Sequence, residues 1–143
     1  MKPFEDITVS ELMLQRPPFV FVDRLLYCDE HRAETEFLVG PESVFVLDGA
    51  LREGGLIEHM AQSCAVLTGY VAKYIRYRPV SIGYLGAVKK LDVRRLPKVG
   101  ERLLTEVSVI EEFFSIFMAL VEVKDSKGEL IASAIIKTAS QPE

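Results

Sequence analysis

Residues 54–70, GGLIEHMAQSCAVLTGY, are almost wholly apolar, yet carry one carboxylate, Glu58, near their head. No segment constrains the fold more. The uncharged run from His59 to Ala72 covers 14 residues, short of the roughly 20 that a membrane-spanning helix needs. The Ala, Leu and Met content over about residues 54–75 favours helix over strand. A helix apolar on nearly every side cannot lie on a surface; other elements must wrap it. The chain of 143 residues, 49% hydrophobic, has enough apolar material for one such core, so a single domain over 1–143 is expected.

The flanking sequence supplies the wrapping. Thr8 to Glu11 has the form of a capping box, which predicts a short helix through Leu14, stopped by Pro17-Pro18. Residues 19–27, FVFVDRLLY, read as a strand, and 31–39 as its partner. In the latter His31, Ala33, Thr35 and Phe37 share one parity, while Arg32, Glu34 and Glu36 share the other. Beyond the long helix, residues 80–95 alternate loosely, and 101–111, 114–124 and 129–139 are rich in Val, Ile, Leu, Phe and Thr. Asp125-Ser126-Lys127-Gly128 is a hairpin turn. The class is therefore α+β: an antiparallel sheet of about five or six strands wrapped around one long central α-helix, which is the hotdog fold.

Three stretches carry a family resemblance. "LMLQRPPFVFVDRLL", "GGLIEHMAQSCAVLTGY" and "GYLGAVKKLDVRRLPKVGERLLTEV" occur in the order, and with the character, of the "LPHRxPFLLVDR", "V-E-x-M-A-Q" and strand-turn-strand segments of the β-hydroxyacyl-ACP dehydratases. The sequence resembles above all the dehydratase-like proteins of aryl-polyene and flexirubin-type pigment clusters. The resemblance implies a 3-hydroxyacyl thioester substrate, on acyl carrier protein or coenzyme A, that loses water to give the 2-enoyl thioester. It places Glu58 at the family's catalytic acid. It also implies at least a dimer, homomeric or formed with another hotdog subunit, with Glu58 near the interface.

Around Glu58, the residues Ala61, Gln62, Ala65, Gly69 and Ala72 recur at spacings of three and four, a small or weakly polar stripe along which an acyl chain or pantetheine arm could lie. Close packing of a sheet against the helix would select the same residues. Gly54 and Gly55 would let a thioester carbonyl approach backbone N–H groups at the helix start. The substrate-binding candidates are thus Gly54, Gly55, Gln62, Ala65 and Gly69. The family's base is missing: the position of its histidine, 14 residues before the acid, is Val44, and the histidine of "LPHR" is Gln15. His59 stands about 100° around the helix from Glu58 and should face elsewhere. His31 is left as a weak candidate base, beside Glu53 or a histidine from a partner subunit. A hotdog thioesterase using Glu58, or a non-catalytic partner subunit, are the alternatives.

From Lys73 to Lys98 eight basic residues face one acid, Asp92, a local charge of +7 in a chain of net −4, which leaves −11 for the remainder. This asymmetry suits an acidic carrier protein, with Arg76, Arg78, Lys89, Lys90, Arg94 and Arg95 as docking candidates; a solvated face is the other reading. No recognition motif accompanies the patch, so nucleic acid is not expected. Two histidines and two distant cysteines match no ligand spacing, so neither metal nor cofactor is expected, and the thiols suit a reducing, cytoplasmic setting. The acidic start MKPFEDITV does not read as a signal peptide.

Overall fold

The computed structural model describes residues 2–81 and 83–140. In chain order it comprises β1 (Arg24–Cys28), β2 (Arg32–Leu38), β3 (Val46–Leu47), β4 (Ala50–Leu51), α1 (Glu53–Tyr70), β5 (Gly83–Val93), β6 (Arg102–Phe113), β7 (Ile116–Lys124) and β8 (Leu130–Ser140). A π turn over Val71–Ile75 extends α1, so the helical stretch ends where its composition indicates. Six strands form one antiparallel sheet in the order β1-β2-β6-β7-β8-β5, and β3 and β4 form a small ribbon just before the helix. This is the hotdog arrangement.

The sheet curves over α1 because its strands alternate. Leu103, Thr105 and Val107 of β6, and Phe117, Ala119, Val121 and Val123 of β7, point inward, with half-exposed residues between them. They meet Leu56, Met60, Val66 and Leu67 of the helix, all at most 1% exposed. Burying each such aliphatic side chain stabilises the fold by roughly 1.5–3 kcal/mol. The predicted turn at 125–128 is present. The Asp125 carboxylate accepts hydrogen bonds from the N–H groups of Lys127 and Glu129, and Gly128 takes φ 84°, where glycine is favoured.

The N-terminal third departs from expectation. The Thr8–Glu11 capping bond forms, with Thr8 N–H donating to Glu11 at 2.9 Å, but it opens only a single 3-10 turn over Val9–Glu11. The chain then turns to lay the carbonyl of Leu12 against the helix. A Cβ at Gly69 would sit 1.9 Å from that carbonyl oxygen, so this contact exists only because residue 69 is glycine. Residues 19–23, expected to be strand, make no regular ladder, and Phe19 closes a turn onto the Arg16 carbonyl. The backbone of Phe21 is instead claimed by two helix side chains. Its N–H donates to Gln62 Oε1 at 2.7 Å and its carbonyl accepts from His59 Nδ1 at 2.6 Å.

At the far edge of the sheet lies β5, eleven residues long and exposed over most of its length. It runs back along the helix, from Gly83 beside Ala72 to the segment after Val93, where Lys98 bridges to Ala50. Tyr84, Leu85 and Leu91 are all at least 40% exposed. An open strand edge carrying exposed apolar side chains, here among Lys89, Lys90 and Asp92, is a surface on which another strand can pair.

Candidate active site

Adjacent residues of α1 have opposite fates. His59 is fully buried: Nδ1 donates to the Phe21 carbonyl, which can only accept, so Nε2 accepts the Thr105 hydroxyl at 2.6 Å. Its ring stacks on Phe37 with centroids 5.5 Å apart. Burial pushes its pKa down to about 4, so near neutral pH it is an uncharged strut with both nitrogens occupied. Glu58, a step of about 100° away, is half-buried. Among the described residues its carboxylate has no hydrogen-bond or ion-pair partner in the chain.

Glu58 lies on the one stripe of α1 that the sheet leaves uncovered. Ile57, Glu58, Ala61, Ala65, Thr68 and Ala72 are half-buried, whereas Leu56, His59, Met60, Ser63 and Leu67 are buried. Phe45 closes the head of this stripe: its ring lies 3.3 Å from where a Cβ at Gly54 would be. The other end opens into a cleft of about 410 Å³ reaching Thr68, Val71 and Ala72.

The other residues singled out in the sequence fall into separate places. Ala65 is on the open stripe. Gln62 is buried, its amide spent on Phe21 N–H and on the Phe19 carbonyl at 2.8 Å, so it holds the N-terminal segment rather than offering hydrogen bonds to a substrate. Gly69 is a packing glycine against Leu12, and a Cβ at Gly55 would meet Leu51 at 2.4 Å and Phe45 at 2.8 Å. Gly54 is exposed at the helix start, where no side chain caps the free N–H groups. Val44 is 49% exposed in the loop before β3. His31 is exposed in the β1–β2 turn, not on the inward face, and its N–H donates to Asp29. Phe37 stacks on His59 and Thr35 bonds Ser63 at 2.9 Å. Strand β2 therefore runs antiparallel to the helix, and His31 lies toward the helix end opposite Glu58. Cys28 and Cys64 are buried, with their thiol pKa values pushed up to about 12, unfit as nucleophiles.

The basic residues also divide. Arg95 makes a two-pronged pair with Glu101 at 2.8 Å and reaches Asp125 at 3.0 Å; Arg76 pairs with Glu112 at 3.0 Å and Arg94 with Asp92 at 3.6 Å. Lys73 and the Tyr74 hydroxyl both bond Glu11, whose pKa is held down at about 2, mainly by Lys73. Arg78, Lys89 and Lys90 are exposed with no side-chain partner among the described residues. Signals from the sequence alone missed the pairing of His59 and Gln62 with Phe21. The clue was two polar residues three apart inside an apolar helix.

Among the described residues no three potential metal ligands come together, and no helix is long and apolar enough to cross a membrane. Comparison with known proteins gives consistent results. A thioester dehydrase of Halalkalibacterium halodurans, itself uncharacterized, is 29% identical over 73% of this chain and 81% of its own length. The dehydratase heterocomplex ApeI:P from Xenorhabdus doucetiae superposes with a TM-score of 0.88 over 96% of this chain and 93% of that one, at 17% identity. A hypothetical thioesterase from Streptococcus pneumoniae, solved with coenzyme A, shares the fold with a TM-score of 0.67, at 10% identity over 84% of this chain and 86% of the other. The ApeP-like model, described as ApeP dehydratase, matches residues 7–143; with that match spanning nearly the whole sequence, the chain belongs to the ApeP-like dehydratase family of hotdog proteins.

Proposed function

We propose that this chain is one subunit of a 3-hydroxyacyl-thioester dehydratase, contributing Glu58 to a site whose base comes from a second hotdog subunit. The carrying observation is the contrast between a partnerless carboxylate on the open stripe and two histidines that cannot reach it. Dehydration needs a base to take the C2 proton while an acid protonates the departing 3-hydroxyl, giving water and the 2-enoyl thioester. Glu58 supplies the acid. The free N–H groups at the start of α1 suit the thioester oxygen as it gains negative charge. With Val44 at the family's histidine position, and Glu53 exposed about 140° around the helix from Glu58, the base on this reading comes from outside the chain.

The exposed edge of β5 favours such a partner. A second subunit added there would continue the sheet and roof the open stripe. The relative solved as a dehydratase heterocomplex has the same architecture throughout. The acyl group is carried by acyl carrier protein, attracted by Arg78, Lys89 and Lys90 rather than by the internally paired Arg95.

The test measures enoyl formation and thiol release side by side, on the chain alone and after addition of a hotdog subunit that retains the histidine. Enoyl product only from the mixture, lost in Glu58→Gln, is the expected result. Enoyl product at ordinary rates from the chain alone would place the base within it. Thiol release dependent on Glu58 would make the protein a thioesterase, and a Glu58→Gln mixture as active as wild type would reduce the chain to a scaffold.

A further inference from the structure

We infer that the outer, convex face of the sheet is an interface between two copies of this chain, related by a twofold axis running along β7. On β7 the inward residues Phe117, Ala119 and Val121 are buried, so Ile116, Met118 and Leu120 point outward. The strand registers set a neighbour on either side of each. Phe113 of β6 and Ala139 of β8 flank Ile116; Glu111 and Lys137 flank Met118; Ser108 and Ile135 flank Leu120. Phe113 is 61% exposed and Ile116 41%. An exposed apolar patch rimmed by polar and charged residues marks a contact with another protein, and this one owes nothing to the reading of Glu58.

The flanks of β7 are complementary to one another. In each row β6 carries what fits β8: large against small, acid against base, small against large. A second copy given half a turn about β7 and laid face to face sets β6 of one copy on β8 of the other, with the sheets about 10 Å apart and the strands within about 30° of each other. Phe113 then lies over Ala139 of the second copy, Glu111 over its Lys137 and Ser108 over its Ile135, and every contact occurs twice. Within one copy the intervening strand holds Glu111 and Lys137 roughly 10 Å apart, and among the described residues neither has an ion-pair partner. The neighbouring acids Glu106 and Glu122 begin four residues beyond Met118, about 13 Å along the strand, where two twisted sheets diverge; they bound the contact. The free edge of β5 lies outside it, so a second subunit and a second copy can be held together. Three strands make a small interface, so the dissociation constant should lie in the micromolar range.

Sedimentation velocity across the micromolar range, on the chain alone and on its complex with the second subunit, tests this through charge reversal. Glu111→Lys sets a lysine against Lys137 in both contacts, and Lys137→Glu sets a glutamate against Glu111. Each should weaken the association roughly tenfold while the melting temperature holds. The double variant, Glu111→Lys with Lys137→Glu, restores both pairs and should recover the wild-type constant. Mixing the two single variants gives pairs with opposite charges in both contacts, whereas each variant alone has like charges, so association should return in the mixture. A contact within one copy could not be repaired by mixing. Wild-type affinity should also fall as salt rises. No association in the micromolar range, a mixture as weak as its components, or association indifferent to both reversals would overturn the inference, the last by assigning self-association to the β5 edge.

Discussion

The two faces of α1 obey different rules. On the packed face every polar side chain is satisfied: His59 by Phe21 and Thr105, Ser63 by Thr35, Gln62 by Phe19 and Phe21. On the open face the one ionisable group, Glu58, has no partner in the chain. Buried polar groups that are fully bonded rigidify a core; an unbonded one in a half-covered lane is free to meet a ligand. The face with the more conspicuous histidine is the structural one, and the proposed reaction uses the face with little on it but alanine.

Substitutions on the two faces should therefore break different things. The largest effect belongs to the open face. Glu58→Gln in the assembled enzyme should reduce turnover by roughly 10²- to 10⁴-fold while thermal unfolding shifts by no more than about 0.5 kcal/mol. If unfolding shifts as much as turnover, the two faces are not separable.

His59 should do the reverse, through pH. Its pKa is about 4 in the folded chain and about 6.5 when unfolded. Between those values the unfolded state binds the additional proton, so stability falls as pH drops through that window, by roughly 3 kcal/mol in all. Denaturant titrations at pH 7 and pH 4 should show the loss in wild type and a flatter dependence in His59→Phe, whose overall stability is lower.

Gly69→Ala comes next. It forces a methyl group into the Leu12 carbonyl and should cost about 1–3 kcal/mol, whereas Ala65→Met, one turn away on the open face, should stay within about 0.5 kcal/mol. Smallest is Glu11→Gln. The Glu11–Lys73 pair is largely solvent-exposed, so its loss should cost less than about 1 kcal/mol. With the Glu11 pKa held down at about 2, that contribution is present above the usual carboxylate pKa near 4.5 and fades as pH falls toward 2. Melting curves in acid should separate this window from that of His59.

The long helix and the last three strands were legible because composition and alternation report local period, and local period survives into the fold. Residues 19–23 were not. Phe-Val-Phe-Val has strand composition, and nothing local says that its hydrogen-bonding partners are side chains about 40 positions later. The stripe was half legible. From Glu58, Ala65 lies about 20° to one side and Gly69 about 20° to the other, so spacing groups them, while the path of Leu12 covers one and leaves the other open. His31 has the inward parity, but β2 begins one residue later and parity means nothing in a turn. The run of basic residues overstated the free charge, because Glu11, Glu112 and Asp125 come in from distant parts of the chain and Glu101 folds back from just beyond the run.

Strand β5 also bears on how much of this protein a cell can hold. Its edge exposes Tyr84, Leu85 and Leu91 beside the charged Lys89, Lys90 and Asp92, and if the proposed second subunit covers it, each copy made beyond the supply of that companion leaves the edge open to mispairing. On the proposed pairing, synthesis of the two subunits in matched amounts becomes a requirement of the sheet, and gene dosage is constrained by the geometry of a single strand.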